Sequence, residues 1–210
     1  MSHYVVSISR EFGSGGRLIG KELAARLGIP CYDRTLIRKT AEKSGLSPDF
    51  IARAEERARS RFHLSAAPVG SGIHSFAAHG TPVNHQAFFA QAEVIRELAD
   101  AGPCVIVGRC SDYILGDRPH CIKVFIHADL PSRMRRCVEE YHLPPENIRR
   151  HIIQMDRGRA NYYSHYTGHS WGDMRRYTLA INSSAAGIAG AAGLIADLVH
   201  LQAAQSTASP

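Results

Sequence analysis

A glycine-rich segment, Gly13-Ser14-Gly15-Gly16-Arg17, lies between a short apolar run and an amphipathic stretch. The apolar run, residues 4–9, predicts a buried strand, and apolar residues at helical spacing predict a helix over 16–27. A glycine loop that joins a strand to a helix presents backbone N–H groups and the positive end of the helix to an anion. The segment therefore predicts a phosphate-binding loop; the alternative is a tight turn that binds nothing.

Two cationic side chains accompany this loop. Arg17 ends it and is expected to supply positive charge to a phosphate, whereas Lys21, one helical turn later on the same face, either assists or is simply solvated. The common pattern G-x-x-x-x-G-K-[ST] is not satisfied, because Gly16 stands at the lysine position and Arg17 at that of the magnesium-binding hydroxyl. We hypothesise that Arg17 replaces the missing lysine.

Two more candidates follow apolar strand segments. Arg109 comes soon after the segment 104–107, and Asp33 ends a short predicted strand over 30–33. Ligands bind at the carboxyl ends of the strands in open α/β sheets, so both side chains are predicted to face a ligand. The alternatives are an exposed loop arginine for Arg109 and a helix cap for Asp33.

Charged residues also gather near the Pro144-Pro145 break. Asp156 and Arg159 are three residues apart on a predicted helix, where they form either part of a ligand site or a surface ion pair. The arginines on both sides of the break predict a basic lid over about 133–165 that closes over a nucleotide; the alternative is a solvated face. The lid arginines are Arg133, Arg136, Arg149 and Arg150.

Predicted strands alternate with predicted helices along the whole chain, and the strand segments are apolar throughout. This pattern indicates an α/β protein with a parallel sheet covered on both faces. We expect one domain over residues 1–202, with an irregular, Ser/Gly/Pro/His-rich insertion at about 59–83. The last helix is predicted over about 184–201, and residues 203–210 are predicted to be a disordered tail.

The 210 residues carry a formal net charge of +6, with arginines concentrated in residues 10–61 and 133–176. Two basic blocks indicate contact with a polyanion. The interleaved basic and aromatic residues typical of nucleic-acid-binding strands are missing, so small phosphorylated ligands are favoured and nucleic acid is not expected. The twelve histidines follow no metal-ligand spacing, and the metal ligands stay unknown.

The cysteines and the apolar segments bear on location. The five cysteines are widely spaced and form no C-x-x-C pair, which predicts free thiols in a reducing compartment. The N-terminus has no basic n-region, and no apolar stretch is judged long enough to span a membrane. We therefore expect a cytoplasmic protein without a membrane partner, whose oligomeric state the sequence does not give.

Five motifs occur in a fixed order along the chain. They are Ile8-Ser9-Arg10-Glu11-Phe12-Gly13-Ser14-Gly15-Gly16-Arg17, Tyr32-Asp33, Val107-Gly108-Arg109, Val124-Phe125-Ile126-His127-Ala128 and Trp171-Gly172-Asp173. Together they resemble the cytidylate kinase-like family of bacterial proteins, over about residues 4–200. The resemblance implies a P-loop nucleoside monophosphate kinase fold: a three-layer, five-stranded parallel sheet with an acceptor-binding insertion and a helical lid.

The resemblance also implies a reaction, the transfer of a phosphoryl group from ATP, with Mg²⁺, to CMP, dCMP or a related monophosphate. It implies catalytic charge from Arg109 and Arg159, and acceptor contacts by Asp33, Arg109, Asp156 and Arg159; a catalytic charge from Arg17 is the added hypothesis that it replaces the missing lysine. The glycine loop, with Arg17 and Lys21, is expected to bind the donor phosphates.

The departures from the family pattern fall on charged positions. Cytidylate kinases read G-S-G-K-[ST] in the loop and G-R-D after a central strand, whereas this chain has Cys110 at that aspartate position and Asp112 two residues on. Of their R-x-x-x-D-x-x-R motif the chain keeps Asp156 and Arg159, with Ile152 at the first arginine. The alternatives to a nucleotide kinase are therefore a nucleotide-binding regulatory module with little turnover and a kinase for a non-nucleotide metabolite; RNA binding ranks last.

Overall fold

The computed structural model describes residues 4–33, 35–52, 82–116 and 118–208. The strands are β1 (Val5–Arg10), β2 (Cys31–Tyr32), β3 (Cys104–Val107), β4 (Cys121–His127) and β5 (Leu179–Asn182). The helices are α1 (Gly16–Leu27), α2 (Thr35–Ser44), α3 (Pro82–Ala101), α4 (Ser111–Ile114), α5 (Leu130–Glu139), α6 (Ile148–Thr167) and α7 (Ser183–Ala208). The predicted insertion at 59–83 lies outside the described residues except at its end, where α3 begins at Pro82.

The strands form one parallel sheet in the order β2-β3-β1-β4-β5, which confirms the predicted five-stranded α/β fold. β1 is central, and Ile8 aligns with Val107 on β3 and Val124 on β4. The N–H of Gly108 donates to the Ile8 carbonyl at 2.9 Å, so the chain leaves β3 directly beside the end of β1. The segments that follow β1 and β3 therefore meet at one edge of the sheet.

Helices cover both faces of the sheet. Ile19 and Leu23 of α1 pack with Ile195 and Val199 of α7 in one fully or nearly fully buried cluster. On the other face, α2 and α3 supply a second cluster that includes Ile95. Apolar side chains on both sides of each strand explain why the strand segments are apolar throughout.

The hairpin of α5 and α6 rests against the glycine loop. Asp129 caps α5 and accepts a hydrogen bond from the Ser132 N–H at 2.7 Å. Cys137 of α5 and Ile152 of α6 belong to a small buried cluster onto which Phe12 of the loop packs. This cluster fixes the hairpin at the carboxyl edge of the sheet.

The C-terminal helix differs from its prediction in two ways. It continues to Ala208, so residues 203–208 are helical instead of forming a disordered tail, because alanines favour helix and no glycine or proline intervenes before Pro210. Among the described residues, Ser183–Gln205 is also long and apolar enough, with a mean hydropathy of 1.5, to cross a membrane by length and composition alone. The prediction that no such stretch exists is wrong, because alanine and glycine supply its apolar character. Of this apolar stretch 28% is buried, on the face that packs in the same cluster as α1 and the sheet.

Candidate functional site

The glycine loop runs from the end of β1 to the start of α1 and needs glycine for its backbone. Gly13 and Gly15 have φ values of 79° and 78°, in the left-handed region that favours glycine. A Cβ on Gly13 would also lie 2.9 Å from the Arg133 carbonyl oxygen and 2.9 Å from the Cys137 sulfur. The loop is therefore shaped by its own turns and by the close approach of α5.

Every carbonyl group from Arg10 to Gly15 accepts a hydrogen bond. The donors are, in order, Arg159 Nη1 at 2.9 Å, Ser14 Oγ at 2.9 Å, Arg133 Nε at 2.7 Å, Arg136 Nη1 at 2.9 Å, Ser183 Oγ at 2.6 Å and Ile19 N at 2.9 Å. Within the described residues, by contrast, no protein group accepts a hydrogen bond from the N–H of Gly13, Gly15 or Gly16. Tied carbonyls together with available N–H groups are the arrangement that a backbone anion site requires.

Arg133 is the buried centre of the contacts that hold the loop. Its guanidinium lies 3.2 Å from Glu11 Oε2, hydrogen-bonds Asp156 Oδ2 and donates to the Phe12 carbonyl. Asp156 Oδ1 in turn accepts a hydrogen bond from the Phe12 N–H at 2.7 Å, and Arg159 Nη1 lies 3.8 Å from the same oxygen. Arg133 and Asp156 therefore stand behind the loop and fix its path.

A cavity of about 460 Å³ opens in front of the loop, at the carboxyl edge of the sheet. Four arginines, three carboxylates and several backbone or apolar groups line it. They are Arg10, Arg17, Arg109, Arg159, Glu11, Asp33, Glu140, Gly13, Gly15, Gly16, Phe12, Tyr141, Leu143 and Met155. The convergence of arginines and loop glycines makes this cavity the candidate site.

A larger hollow of about 590 Å³ lies on the outer side of α6 and is not the candidate site. Its lining comprises Asn147, Arg149, Arg150, Ile153, Gln154 and Arg157. These residues come from one end of a single helix and include no residue of the glycine loop. Positive charge without convergent backbone groups is the weaker basis for a ligand site.

Seven of the predicted site residues line the cavity together. They are Gly13, Gly15, Gly16, Arg17, Asp33, Arg109 and Arg159. Residues distant in sequence thus meet at the carboxyl edge of the sheet, as the strand-end argument predicts for Asp33 and Arg109.

Seven other predicted residues do not line it. Ser14 is buried with its hydroxyl on the Glu11 carbonyl, and Lys21 is exposed on α1. Asp156, Arg133 and Arg136 contact the loop from behind. The remaining two, Arg149 and Arg150, are exposed and border the outer hollow.

Arg17 and Asp33 contact each other within the cavity. Arg17 Nε lies 2.7 Å from Asp33 Oδ2, but the two groups are not aligned as a hydrogen bond. The Arg17 side chain is 44% exposed, so the attraction is screened by solvent. The residue predicted to replace the P-loop lysine is therefore held toward the predicted acceptor carboxylate.

Two cavity residues were not singled out from the sequence. Arg10 is the last residue of β1, and the strand-end argument that selected Arg109 applies to it equally. Glu11 follows, and its carboxylate accepts a hydrogen bond from the Ala128 N–H at 3.1 Å besides pairing with Arg133. No pattern in the sequence identifies that pairing, because the partners are more than a hundred residues apart.

Asp112 lies close to this edge but outside the cavity lining. It is buried, and its Oδ2 accepts a hydrogen bond from the Tyr163 hydroxyl at 2.7 Å. Burial raises the pKa of the Asp112 carboxyl above its ordinary value. The nearest acid to the family's G-R-D position therefore supports the sheet edge and does not reach the cavity.

Comparison with known proteins places these observations in a family. The family model described as the cytidylate kinase-like family matches residues 5–185. An uncharacterized protein from Eubacterium ventriosum has a solved structure that is similar at a TM-score of 0.67 and 26% identity, covering 94% of this chain and 98% of that one. The comparison with curated proteins returned no match.

Two shikimate kinases share the fold. The enzyme from Acinetobacter baumannii in complex with shikimate has a TM-score of 0.51 and 14% identity, over 96% of this chain and 95% of that one. The enzyme from Bacteroides thetaiotaomicron has a TM-score of 0.54 and 12% identity, over 95% and 99%. The fold is thus that of kinase-type phosphotransferases, and the chain belongs to the cytidylate kinase-like family.

Proposed function

We propose that this protein transfers the γ-phosphoryl group of ATP to a nucleoside monophosphate, with CMP or dCMP as the favoured acceptor. The observation that carries the proposal is the glycine loop: its carbonyls are all tied back, while the N–H groups of Gly13, Gly15 and Gly16 remain for an anion. Phosphoryl transfer needs chiefly positioning and positive charge around the phosphate oxygens. The loop supplies the first requirement and the cavity arginines the second.

Different arginines are expected to bind the transferring phosphate of ATP and the phosphate of the acceptor. Arg159 is tied to the Arg10 carbonyl and sits beside the loop, which suits the transferring phosphate. Arg109 follows β3 and lines the same cavity, which suits the acceptor phosphate. Arg17 and Asp33 are paired without a ligand, and we expect a bound monophosphate to draw Arg17 away so that Asp33 accepts from the acceptor instead.

The arginines and loop glycines of the cavity suit a triphosphate, but the cavity has few carboxylates available as ligands for Mg²⁺. The described residues contain no group of three or more His, Cys, Asp or Glu side chains that could hold a metal ion. The three lining carboxylates, Glu11, Asp33 and Glu140, each pair with an arginine. Mg²⁺ usually binds through substrate phosphates and one or two carboxylates, and when bound it neutralises charge on the phosphate oxygens. We therefore expect the ion to enter with ATP.

The experiment is a panel of nucleoside monophosphates with purified protein, ATP and Mg²⁺. We expect nucleoside diphosphate with CMP or dCMP, and about a hundredfold less with Arg159→Met, because a charge at the transferring group is lost. Arg157→Met, an exposed change two residues away on α6, is the matched control and should keep the wild-type rate. No diphosphate above a heat-killed sample, with any monophosphate, would contradict the proposal.

A second candidate, a regulatory module that binds nucleotide without turnover, is favoured by Gly16 at the lysine position. It predicts calorimetric ATP binding with no product from monophosphates or from a panel of phosphate-accepting metabolites. Product from a metabolite alone would instead indicate a different acceptor.

Cytoplasmic location stays a prediction.

A further inference from the structure

The Arg10 side chain fills the space beside two glycines of the site. A Cβ added to Gly16 would lie 2.6 Å from Arg10 Cβ and 2.9 Å from its Cγ. A Cβ added to Gly108 would lie 2.8 Å from Arg10 Cζ and nearer still to Nη1. The stem of Arg10 therefore passes over the start of α1, and its guanidinium lies against the turn after β3.

These contacts give a physical reason for Gly16. A side chain at that position, including the lysine of the usual pattern, collides with the Arg10 stem at distances that real Cβ atoms do not adopt. The closest atom is Cβ, whose position the strand backbone fixes, so rotation of the Arg10 side chain does not relieve the collision. Arg10 and a lysine at position 16 are thus mutually exclusive in this arrangement.

The backbone of Arg10 is firmly placed. Its residue pairs with Ile126 at the end of β1, and its carbonyl accepts the hydrogen bond from Arg159. The side chain lines the cavity together with Gly13, Gly15 and Gly16. Arg17 is a weaker candidate for the same role, because its side chain is 44% exposed.

We propose that Arg10 is the phosphate-binding residue that supplies, from the end of β1, the positive charge that a lysine at position 16 would supply from α1. The inference rests on the proposed phosphate site and names the residue that completes it. The exchange of lysine for Gly16 then relocates a charge and does not delete one. A guanidinium offers a planar fork to phosphate oxygens, so the relocated charge also gains directed hydrogen bonds.

The test measures binding of inorganic tripolyphosphate, and separately of Mg²⁺-ATP, by calorimetry on the full chain. Arg10→Met should weaken both by about 50-fold, the range expected when hydrogen bonds to a charged group are lost. Arg10→Lys should weaken binding less than Arg10→Met does. Arg17→Met should weaken binding less than about fivefold, because only a solvent-screened contact is lost. Arg26→Met, on the far end of α1 and paired with Glu22, is the control and should bind as wild type.

A charge swap separates a direct role from a structural one. Gly16→Lys alone should bind poorly because of the collision with Arg10, and Arg10→Gly alone should bind poorly because the charge is gone. The double variant Arg10→Gly/Gly16→Lys should recover at least tenfold over either single variant, since the lysine then has room. Arg10→Met within threefold of wild type, a larger loss from Arg17→Met, or no recovery in the double variant would each overturn the inference.

The outcome is distinguishable from the fate of the kinase proposal, since it is read from binding. Binding that depends on Arg10 in a protein without turnover would contradict the proposed kinase activity and support this inference. Diphosphate formation at the wild-type rate in both Arg10→Met and Arg10→Lys would support the kinase proposal and contradict the inference about Arg10. A wild-type protein that binds neither probe would overturn both.

Discussion

Arginines of α5 and α6 look alike in the sequence and occupy different surroundings in the fold. Arg133 and Arg136 of α5 donate to the Phe12 and Gly13 carbonyls, whereas Arg149 and Arg150 of α6 are exposed. The difference comes from the helix face: Arg133 lies one turn before buried Cys137. Position relative to a buried face, and not proximity to the Pro144-Pro145 break, decides which arginines hold the loop.

The N-terminal caps of α5 and α6 also differ. Asp129 caps α5 through its side chain, whereas α6 begins after Asn147, which has a φ of 61° and makes no side-chain cap. The helix that holds the loop is thus fixed at its first turn. The start of α6 lacks a side-chain cap and is held by Ile148, its first residue, which is buried in the cluster with Cys137. A lid role for the exposed arginines of α6 stays a prediction.

The largest expected effect on the free energy of unfolding comes from Arg133→Met. The change leaves the Glu11 and Asp156 carboxylates half-buried without their partner, which should lower the free energy of unfolding by about 3 kcal/mol. Urea denaturation followed by circular dichroism measures the loss. Arg135→Met, an exposed neighbour, should stay within about 0.5 kcal/mol; equal losses in the two variants would break the comparison.

Arg136→Met should have a smaller effect. It removes the hydrogen bond to the Gly13 carbonyl, at 2.9 Å, and the solvent-screened ion pair with Glu140, and should lower the free energy of unfolding by about 1 kcal/mol. The same urea titration measures it. A loss as large as that of Arg133→Met would mean that this single carbonyl contact matters as much as the paired carboxylates around Arg133.

The α5 cap should give a modest pH dependence. Hydrogen bonds from Ser184 and Ser132 lower the pKa of the Asp129 carboxyl to about 2, from an ordinary value of 3.8. The ionised cap therefore stabilises the fold fully above about pH 4, and this contribution is lost as the pH falls toward 2. Unfolding free energies measured from pH 5 downward should fall less steeply in Asp129→Asn; parallel slopes would argue against the cap.

The smallest effect on stability is expected from the double variant Arg149→Ala/Arg150→Ala. Both side chains are exposed, so the free energy of unfolding should stay within about 0.5 kcal/mol of wild type. A lid role predicts, in the same variant, a lower kcat in the monophosphate assay. A clear loss of stability would place these arginines with the α5 group.

Local features of the fold were predictable and pairings were not. The bounds of α1, the buried strands and the loop between them follow from periodicity and glycine spacing, because those signals lie within a few residues. The partnership of Arg17 with Asp33, and of Arg133 with Glu11 and Asp156, depends on helix orientation in the folded chain. The position of Arg10 at a strand end was visible in the sequence, but its contacts with Gly16 and Gly108 were not, because both glycines have the pattern of ordinary loop residues.

The tied carbonyls of the loop have a consequence for the thermodynamics of binding. A flexible loop must lose conformational entropy when it wraps an anion, and that loss reduces affinity. Here the backbone from Arg10 to Gly15 is already restrained by six hydrogen bonds contributed by its own serine and by α1, α5, α6 and α7. Phosphate association should therefore carry little ordering cost. Affinity should also respond to mutations of Arg133, Arg136 and Ser183, which hold the loop from behind and do not line the cavity.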